Sequence, residues 1–342
     1  MKRDVKTRVY FQWHITDKCN LKCKHCYHEV SCGDLDLSNL KRICDILDTA
    51  CDGWEMPSEI SLTGGEPFTR REDLFELISY MEQKSNIEQI NILSNGTLIT
   101  LDDIHILKKF KRTPHIQVSL DGPRKEIHEA IRDEGSFDKT IETIKLLKAN
   151  GISVSVMMTI SKVNYTYISE MYNLLKELKV DCFSMDRYIP GSLQDFKANC
   201  LSKEETKEAY SKFVELSKGK DILPKVRPYR ALFCLFNETE DNVYGARCSA
   251  GDSLCILPDG TVLPCRRLPI SIGNILKDDF YDIWNGSKVL NDLRDKSNLK
   301  GKCNSCDSLY NCGGCRAMAY AVHNDYLMED PHCWKENNEY AP

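Results

Sequence analysis

Cysteine stands out in this sequence, because 17 of its 342 residues are of this type. Most of the cysteines fall in two groups near the ends of the chain. The first group, Cys19, Cys23 and Cys26, places three thiols within eight residues. The second group consists of Cys248, Cys255, Cys265, Cys303, Cys306, Cys312, Cys315 and Cys333. Grouped thiols in a chain with no export signal indicate metal binding rather than a disulfide framework.

The N-terminal triplet has the spacing C-x3-C-x2-C. Three ligands from one tight loop can hold one face of an iron–sulfur cluster and leave one iron without a protein ligand, which is typical of a reactive metal site. The alternative is a zinc site completed by His25, by His28 or by a distant thiol.

The C-terminal group supplies eight thiols, enough for two fully ligated sites. Thiolate sites suit zinc as well as iron, so two structural zinc ions are the alternative. Of the six remaining cysteines, Cys44, Cys182 and Cys234 lie in apolar patterns and are predicted to be core residues, and Cys32 follows the N-terminal group.

The elements that position these groups follow from the apolar periodicity. The pattern predicts strands at Val9–Thr16, Glu59–Thr63, Gln89–Ser94, His115–Leu120, Ser153–Ile160 and Cys182–Ile189. It predicts helices at Ser38–Thr49, Arg71–Lys84, Leu101–Phe110, Phe137–Ala149, Tyr165–Leu178 and Lys203–Lys218. Ser38 and Thr100 are predicted N-caps, and Gly151 is placed to end a helix.

Six strand–helix repeats predict an α/β fold with a parallel sheet and right-handed crossovers, best described as a partial (β/α)6 barrel of the TIM type. Chemistry in such folds sits at the carboxyl ends of the strands, where the first cysteine group lies. The segment Asn237–Asn242 is a predicted linker. We therefore expect a barrel over residues 1–236 and a cysteine-rich domain with little regular structure, held together by metal clusters, over residues 237–342.

Composition excludes several classes of function. With 46 basic and 51 acidic residues the formal charge is −5, which gives no reason to expect nucleic-acid binding. No segment approaches the ~18 uninterrupted apolar residues that span a bilayer, and the N-terminus has no secretory signal. We expect a cytoplasmic protein.

With these motifs in place, the sequence resembles the radical S-adenosylmethionine (SAM) enzymes. The cysteine triplet after the first strand, with His25 before the third cysteine, is similar to their hallmark motif. The resemblance implies that Cys19, Cys23 and Cys26 hold a catalytic [4Fe–4S] cluster. The segment Gly64-Gly65-Glu66-Pro67 after the second strand is similar to the element that binds the SAM amino group. Its glycines would let the backbone approach the ligand, and Glu66 would accept from a cation.

Two further segments extend the resemblance. They are Ser94-Asn95-Gly96-Thr97 after the third strand, and Ser119-Leu-Asp121-Gly-Pro after the fourth, which continues to His128 and Arg132. The resemblance places Asn95, Ser119, Asp121 and Arg132 near SAM, with Ser119 and Arg132 near its ribose and carboxylate. An arginine fork suits a carboxylate.

The C-terminal group resembles the SPASM extension of these enzymes, which holds two auxiliary [4Fe–4S] clusters. The resemblance implies a nearer cluster on Cys248, Cys255, Cys265 and Cys315, and an outer one on Cys303, Cys306, Cys312 and Cys333. One departure is the pair Gly313-Gly314, since the family commonly has three residues between those two cysteines.

The resemblance implies an oxidoreductase that works without oxygen. It cleaves SAM reductively to a 5′-deoxyadenosyl radical, with electrons from a flavodoxin or ferredoxin. The expected substrate is a ribosomally made peptide, which gains a thioether, a carbon–carbon crosslink or an oxidised side chain. The alternatives are a tetrapyrrole or other small molecule, a sulfatase-type protein maturase, and, as a non-enzyme, a multi-cluster electron carrier.

The residues after Cys265 bear on the substrate. Sulfatase-maturing relatives have an Asp there that serves as a base, whereas this chain has Arg266 and Arg267, which disfavours that activity. Both arginines are predicted to contact a peptide or to offset the charge of a thiolate-ligated cluster. Because the first strand starts near Val9, a leader peptide is expected to dock on the barrel, on the cysteine-rich extension or on a separate leader-binding protein.

Overall fold

The computed structural model describes residues 8–27, 33–218, 223–228, 230–236 and 247–336. Their strands form one sheet in the order β10-β9-β8-β1-β2-β3-β4-β5-β6-β7. The strands are β1 (Val9–His14), β2 (Ser58–Thr63), β3 (Ile87–Ser94), β4 (His115–Ser119), β5 (Val154–Ile160), β6 (Cys182–Arg187), β7 (Lys225–Val226), β8 (Ser253–Ile256), β9 (Thr261–Leu263) and β10 (Gly273–Asn274). Neighbours from β1 to β7 pair in parallel. The predicted partial barrel is confirmed, with each predicted strand within two residues of its observed ends.

Helices cover the outer face of the sheet. They are α1 (Leu37–Gly53), α2 (Arg71–Met81), α3 (Leu101–Leu107), α4 (Lys125–Glu129), α5 (Ser136–Ala149), α6 (Ile168–Glu177), α7 (Leu193–Asn199), α8 (Lys203–Ser217), α9 (Phe280–Gly286), α10 (Lys288–Arg294) and α11 (Arg316–His323). Short 3-10 helices lie at Pro67–Arg70, Tyr165–Tyr167, Phe233–Leu235, Lys296–Asn298 and Gly301–Cys303. None of the helices in the described ranges is long and apolar enough to cross a membrane.

The two faces of the barrel strands differ in chemistry because successive side chains of a strand point to opposite faces. On β1 the outward residues Phe11 and Trp13 are fully buried in the core. The intervening Gln12 lines a cavity inside the barrel. The same alternation gives the interior of the barrel its polar lining.

The helix caps agree with the prediction at one of two places. Thr100 caps α3 in a reciprocal arrangement with Asp103, as predicted. At α1 the cap is Asp36 rather than Ser38, because the Asp36 carboxylate accepts from the Asn39 N–H at 2.8 Å. A carboxylate near a helix N-terminus also interacts favourably with the helix dipole.

The C-terminal region is more regular than the sequence predicts. Strand β8 pairs in parallel with β1, and β9 and β10 follow as an antiparallel extension, so this region continues the barrel sheet. These strands are only two to four residues long, too short for a periodic signal. Trp54 of the barrel packs against Trp284 of α9 with ring centroids 4.7 Å apart. The predicted linker lies outside the described residues, as do His28 and Cys32.

Candidate active site

The N-terminal cysteines lie on the loop after β1, at the carboxyl end of the parallel strands. Cys19, Cys23 and Cys26 all line one cavity of about 1320 Å³ that runs through the barrel. Cys19 and Cys26 are exposed and Cys23 is half-buried. The loop therefore presents three thiols to one cavity.

Two glycines after β2 allow the cysteine loop to lie against the backbone. The Gly65 N–H donates to the Thr16 carbonyl oxygen at 2.8 Å. A Cβ on Gly65 would lie 2.3 Å from the Lys18 oxygen, and one on Gly64 would lie 2.3 Å from the Thr16 oxygen. Any side chain at either position would displace the loop, and both glycines line the cavity.

The sequence predicts that Glu66 accepts a hydrogen bond from a ligand cation, whereas in the structure its carboxylate accepts hydrogen bonds from the protein itself. Its carboxylate is fully buried and accepts from the Ser94 hydroxyl at 2.8 Å, the Asn95 N–H at 2.7 Å and the Phe68 N–H at 3.2 Å. Burial raises the pKa of Glu66 to about 7, although these hydrogen bonds oppose the shift. Pro67 is buried and starts a 3-10 helix. Glu66 and Pro67 thus lie behind the loops that line the cavity and stabilise their positions.

Asn95 connects the end of β3 to the cysteine loop. Its Nδ2 donates to Asn20 Oδ1 at 3.1 Å and lies 4.0 Å from Cys19 Sγ. Its Oδ1 accepts from the Thr97 N–H at 2.9 Å. The side chain is thereby fixed at the wall of the cavity, beside the first thiol.

Arg132 reaches the same loop from the other side. Its Nε donates to Asp121 Oδ2 at 2.6 Å, and its Nη1 lies 3.8 Å from Cys23 Sγ. Asp121 is fully buried, and its Oδ1 accepts from the Thr159 N–H at 2.8 Å. Although burial alone would raise the pKa of Asp121, Arg132 and His25 hold it below its usual value. Asp121 thus orients Arg132, which lines the cavity, and is not itself among the lining residues.

The expected SAM contacts therefore divide into two groups. Those that line the cavity are His25, Gly64, Gly65, Asn95, Ser119 and Arg132. Glu66, Pro67 and Asp121 lie behind them and fix their positions. Burial lowers the pKa of His25, which favours the neutral ring.

The C-terminal cysteines separate into two sets of four. Cys248, Cys255, Cys265 and Cys315 line the same large cavity as the N-terminal loop. A second, small cavity is lined by Cys303, Cys306, Cys312 and Cys333. These sets coincide with the nearer and outer sets that the resemblance implies.

The arrangement of the thiols determines which metal ion or cluster they can bind. Within the described ranges, no three His, Cys, Asp or Glu side chains converge as ligands of a single metal ion would. The cysteines share cavities in sets of three and four, which is the number of thiolates that hold an iron–sulfur cluster with one open iron or a fully ligated one. Burial raises the pKa of Cys23 to about 11 and that of Cys315 above its usual value. Each thiol must lose its proton to bind metal.

The shortened spacing between Cys312 and Cys315 is accommodated by the two glycines. Gly313 and Gly314 have φ angles of +64° and +60°, in the left-handed region that other residues rarely adopt. The chain therefore turns sharply, and Cys312 faces the small cavity while Cys315 faces the large one.

Of the cysteines predicted to lie in the core, Cys44 is fully buried there. Cys182 is buried but occupies an inward strand position and lines the large cavity. Cys234 is half-buried, and its thiol is hydrogen-bonded with that of Cys312. The core prediction is thus confirmed for Cys44 and for Cys182, which also borders the cavity, whereas Cys234 is only partly buried and packs against the core.

Two charged groups of the cavity wall were missed by the sequence analysis. Asp186 pairs with Arg267 at 2.8 Å and Arg230 at 2.9 Å. Arg187 pairs with Asp330 across the boundary to the C-terminal cysteines. The sequence indicated these two residues only by their position at the end of a predicted strand. Their ion-pair partners are distant in sequence and leave no periodic pattern.

Comparison with known proteins gives the family. The model of the radical SAM superfamily matches residues 13–175, and that of the SPASM iron–sulfur cluster-binding domain matches residues 248–307. The AdoMet-dependent heme synthase of Methanosarcina barkeri (strain Fusaro / DSM 804) is 30% identical over 340 residues, which cover 94% of this chain and 95% of that protein. The chain belongs to the radical SAM superfamily and carries a SPASM domain. It is a radical SAM enzyme whose cofactors are [4Fe–4S] clusters and SAM.

Other similar proteins have names that describe different functions. The antilisterial bacteriocin subtilosin biosynthesis protein AlbA of Bacillus subtilis (strain 168) is 31% identical, over 87% of this chain and 67% of its own. The structure of anSMEcpe with bound AdoMet matches with a TM-score of 0.76 and 18% identity, covering 95% of this chain and 94% of that one. Streptococcus suis SuiB bound to the precursor peptide SuiA matches with a TM-score of 0.76 and 19% identity, covering 96% and 76%. At these identities the two structures demonstrate a shared fold.

Proposed function

We propose that this enzyme modifies a ribosomally synthesised peptide, forming a thioether, a carbon–carbon crosslink or an oxidised side chain. The observation that carries the proposal is a single cavity of about 1320 Å³ lined by both the N-terminal cysteine loop and four C-terminal cysteines. A substrate in this cavity lies between two redox groups. Support also comes from AlbA, a bacteriocin biosynthesis protein, and from SuiB, which was solved with a precursor peptide.

The cavity wall suits a peptide backbone. Inward residues of successive strands supply amide and hydroxyl groups, among them Gln12, Ser61, Gln117, Ser155 and Ser184. Such groups both donate and accept hydrogen bonds, as peptide N–H and C=O groups require. An extended segment along this wall would not depend on one particular side chain.

We assign the N-terminal [4Fe–4S] cluster to Cys19, Cys23 and Cys26, and the auxiliary clusters to the two sets of four cysteines. The nearer set is Cys248, Cys255, Cys265 and Cys315, and the outer set is Cys303, Cys306, Cys312 and Cys333. Each set lining one cavity supports this assignment. When bound, the N-terminal cluster and SAM supply a 5′-deoxyadenosyl radical, and the auxiliary clusters supply one-electron carriers.

The chain's own residues position SAM and limit water at the site. Gly64 and Gly65 leave room for it beside the cysteine loop, where backbone groups can bond to it. Asn95, Ser119 and Arg132 provide donors around that space. Glu66 binds the Asn95 backbone, and Asn20 and Thr97 bind the Asn95 side chain. Asp121 binds the Arg132 guanidinium, so both donors are held in place. Fixed dipoles and charges of this kind orient a charged ligand without reorganisation.

A tetrapyrrole is the second candidate substrate, and two observations favour it. The heme synthase of M. barkeri matches almost this entire chain. Three arginines, Arg230, Arg266 and Arg267, line the cavity, and two of them, Arg230 and Arg267, share the Asp186 carboxylate. This excess of positive charge suits the carboxylates of a tetrapyrrole as well as those of an acidic peptide.

The two arginines after Cys265 have different surroundings. Arg267 is bound to Asp186, and the nearby thiols of Cys265 and Cys315 contribute to its raised pKa. This position supports the role of offsetting cluster charge. Arg266 lies 4.7 Å from the ring centroid of Tyr27 and lines the cavity, so it remains the better candidate for substrate contact.

We further propose that a flavodoxin or ferredoxin supplies the electron. A leader peptide would dock on the barrel, on the SPASM domain or on a separate leader-binding protein. Strand β7, which forms one end of the described sheet, offers an edge for β-strand addition.

The test is anaerobic incubation of the reconstituted enzyme with SAM, dithionite and the small peptides encoded beside it, followed by mass spectrometry. Parallel reactions receive iron coproporphyrin. We expect the wild-type enzyme to change the mass of one peptide. The variant in which Cys19, Cys23 and Cys26 are replaced by Ala should change the mass of no peptide. The variant in which Cys303, Cys306 and Cys312 are replaced should produce 5′-deoxyadenosine but no modified peptide. Consumption of the porphyrin alone would contradict the peptide proposal in favour of the second candidate.

A further inference from the structure

Arg316, the residue after Cys315, is among the largest fully buried side chains of the described structure, with an exposed fraction of 0%. Its Nη1 donates to the carbonyl oxygens of Tyr326 at 3.0 Å and Met328 at 2.7 Å. Its Nε and Nη2 have no hydrogen-bond partner. No carboxylate in the described part of the chain forms an ion pair with it. Arg316 is therefore a buried cation without an ion-pair partner among the described residues, and Asp325, which interacts with it electrostatically, is itself paired with Lys300 at 2.7 Å.

Such an arrangement is costly unless an anion completes it. An unpaired buried ion costs several kcal/mol even after relaxation. Guanidinium groups do not lose their proton in proteins, so Arg316 cannot become neutral. The compensating charge must therefore come from something that occupies the site in the working protein.

The neighbourhood of Arg316 identifies the anion. The carbonyl oxygens that Arg316 binds belong to residues 326–328, and in this segment the Leu327 carbonyl oxygen accepts from the Lys300 N–H, three residues before Cys303. A Cβ on Gly314, which lines the small cavity, would lie 2.6 Å from Arg316 Nη2. The guanidinium thus lies beside the backbone that borders the small cavity. Lys296, also partly buried, adds a second positive charge on this side rather than a negative one.

We infer that Arg316 is the buried counter-charge of the outer auxiliary cluster and raises its reduction potential. Four thiolates around a [4Fe–4S]²⁺ core leave a net charge of −2, and reduction adds a further negative charge. A cation beside the cluster stabilises the reduced form more than the oxidised form, and net charge and hydrogen bonds to sulfur set such potentials. The inference rests on the proposed assignment of the outer cysteines. It also explains Gly314, since any side chain there would displace the guanidinium.

The test uses the reconstituted full-length enzyme in which Cys19, Cys23 and Cys26 are replaced by Ala, so that only auxiliary clusters give signals. Iron content and the auxiliary midpoint potentials, followed by electron paramagnetic resonance, are compared for Arg316→Gln, Arg316→Lys and Arg294→Gln. Arg294 is the matched control, because it also donates to two carbonyl oxygens, those of Gly251 and Trp284, and also has an unpartnered Nη2. Unlike Arg316, it is not beside the outer thiols.

We expect Arg316→Gln to lower one auxiliary potential, so that the ratio of reduced to oxidised cluster at a fixed potential falls at least tenfold, or 59 mV for one electron. Arg316→Lys keeps the charge and should change this ratio less than threefold, as should Arg294→Gln. Selective loss of about four irons in Arg316→Gln, restored in Arg316→Lys, would support the same role. If Arg316→Lys folds and Arg316→Gln does not, that result would also support this role.

Unchanged potentials in Arg316→Gln with both clusters present would overturn the inference. So would equal loss of iron or of folding in Arg316→Gln and Arg316→Lys, since the carbonyl contacts rather than the charge would then explain the residue. If the parent protein itself holds no iron in the SPASM domain, the assignment of the outer cysteines fails instead, before Arg316 is tested.

Discussion

Arg187 Nη2 lies 2.8 Å from Asp330 Oδ2, and Arg187 Nη1 lies 3.0 Å from Asp330 Oδ1, in a two-pronged ion pair that is almost fully buried. Arg187 ends β6 of the barrel and lines the large cavity, whereas Asp330 lines the small one. The same carboxylate accepts from the Cys315 N–H at 2.8 Å. One ion pair thus joins the barrel to the backbone that carries both sets of C-terminal cysteines.

Replacing Asp330 by Ala should destabilise the protein strongly, because it leaves the Arg187 guanidinium buried without its anion. Breaking a buried pair in this way costs about 3–5 kcal/mol. The measurement is anaerobic urea unfolding of the holoenzyme, followed by tryptophan fluorescence. Glu170→Ala is the control: it breaks the exposed pair with Arg124, which should contribute no more than about 1 kcal/mol. Equal losses in the two variants would show that the Arg187–Asp330 pair is not a main link between the regions.

Replacing Gly65 by Ala should displace the N-terminal cysteine loop while leaving the SPASM domain intact. The added Cβ would lie 2.3 Å from the Lys18 carbonyl oxygen and 2.7 Å from that of Asp17, and these backbone atoms cannot move aside as a flexible side chain could. We expect iron to fall from about twelve to about eight per chain, with loss of SAM cleavage. Iron and sulfide assays and 5′-deoxyadenosine production are the measurements.

Gly286→Ala provides the matched control, because nothing lies within 4 Å of a Cβ at that position. It should retain all iron and full SAM cleavage. Full iron content in Gly65→Ala would show that close backbone contact is not required to form the N-terminal site.

The sequence predicted the parallel core of the fold because long strands and amphipathic helices leave a periodic signal. It did not predict β8, β9 and β10, whose two to four residues are stabilised by pairing with β1 rather than by their own pattern. The Ser38 cap prediction was wrong for a local reason, because Asp36, two residues earlier, accepts from the Asn39 N–H and begins the helix at Leu37.

At the site, the motifs placed most of the predicted residues on the cavity wall, but they did not predict which side chains would lie behind it. Gly64, Gly65, Asn95 and Arg132 line the cavity, as direct contacts should. Asp121 has the same motif signal but lies behind the wall. Spacing locates a residue at the end of a strand, whereas the direction of its side chain depends on distant partners such as the Thr159 N–H. Arg316 was missed for the same reason, because burial of a charge cannot be read from its neighbours in sequence.

Cluster assembly should depend strongly on pH. Burial raises the pKa of Cys23 to about 11, and that of Cys19 also lies above its usual value. These thiols are protonated at neutral pH in the metal-free protein and must release protons as iron binds. Anaerobic reconstitution followed by visible absorbance should therefore be faster at pH 8.5 than at pH 7.0. Equal rates at the two pH values would indicate that deprotonation does not limit assembly.

His332 should make the protein less stable in mild acid. Burial, with help from the Arg187 guanidinium, lowers the pKa of His332 to about 4, and its Nδ1 accepts from Arg187 Nη1 at 3.1 Å. The folded pKa lies below the unfolded value near 6.5, so the folded state binds fewer protons between these values. This contribution to stability is present above pH 6.5 and is lost as the pH falls towards 4.

The measurement compares urea unfolding of the wild type and His332→Gln at pH 7.5 and pH 5.0. Glutamine keeps an acceptor for Arg187 but does not titrate, so the wild type should lose about 2 kcal/mol more than the variant over this interval. The subtraction also removes the effect of Glu66, whose raised pKa acts in the opposite direction, with stability lost as the pH rises through about 7. His323→Gln, at an exposed position of α11, should behave as the wild type. A parallel pH dependence in wild type and His332→Gln would mean that folding leaves the pKa of His332 near its usual value, and the prediction would be wrong.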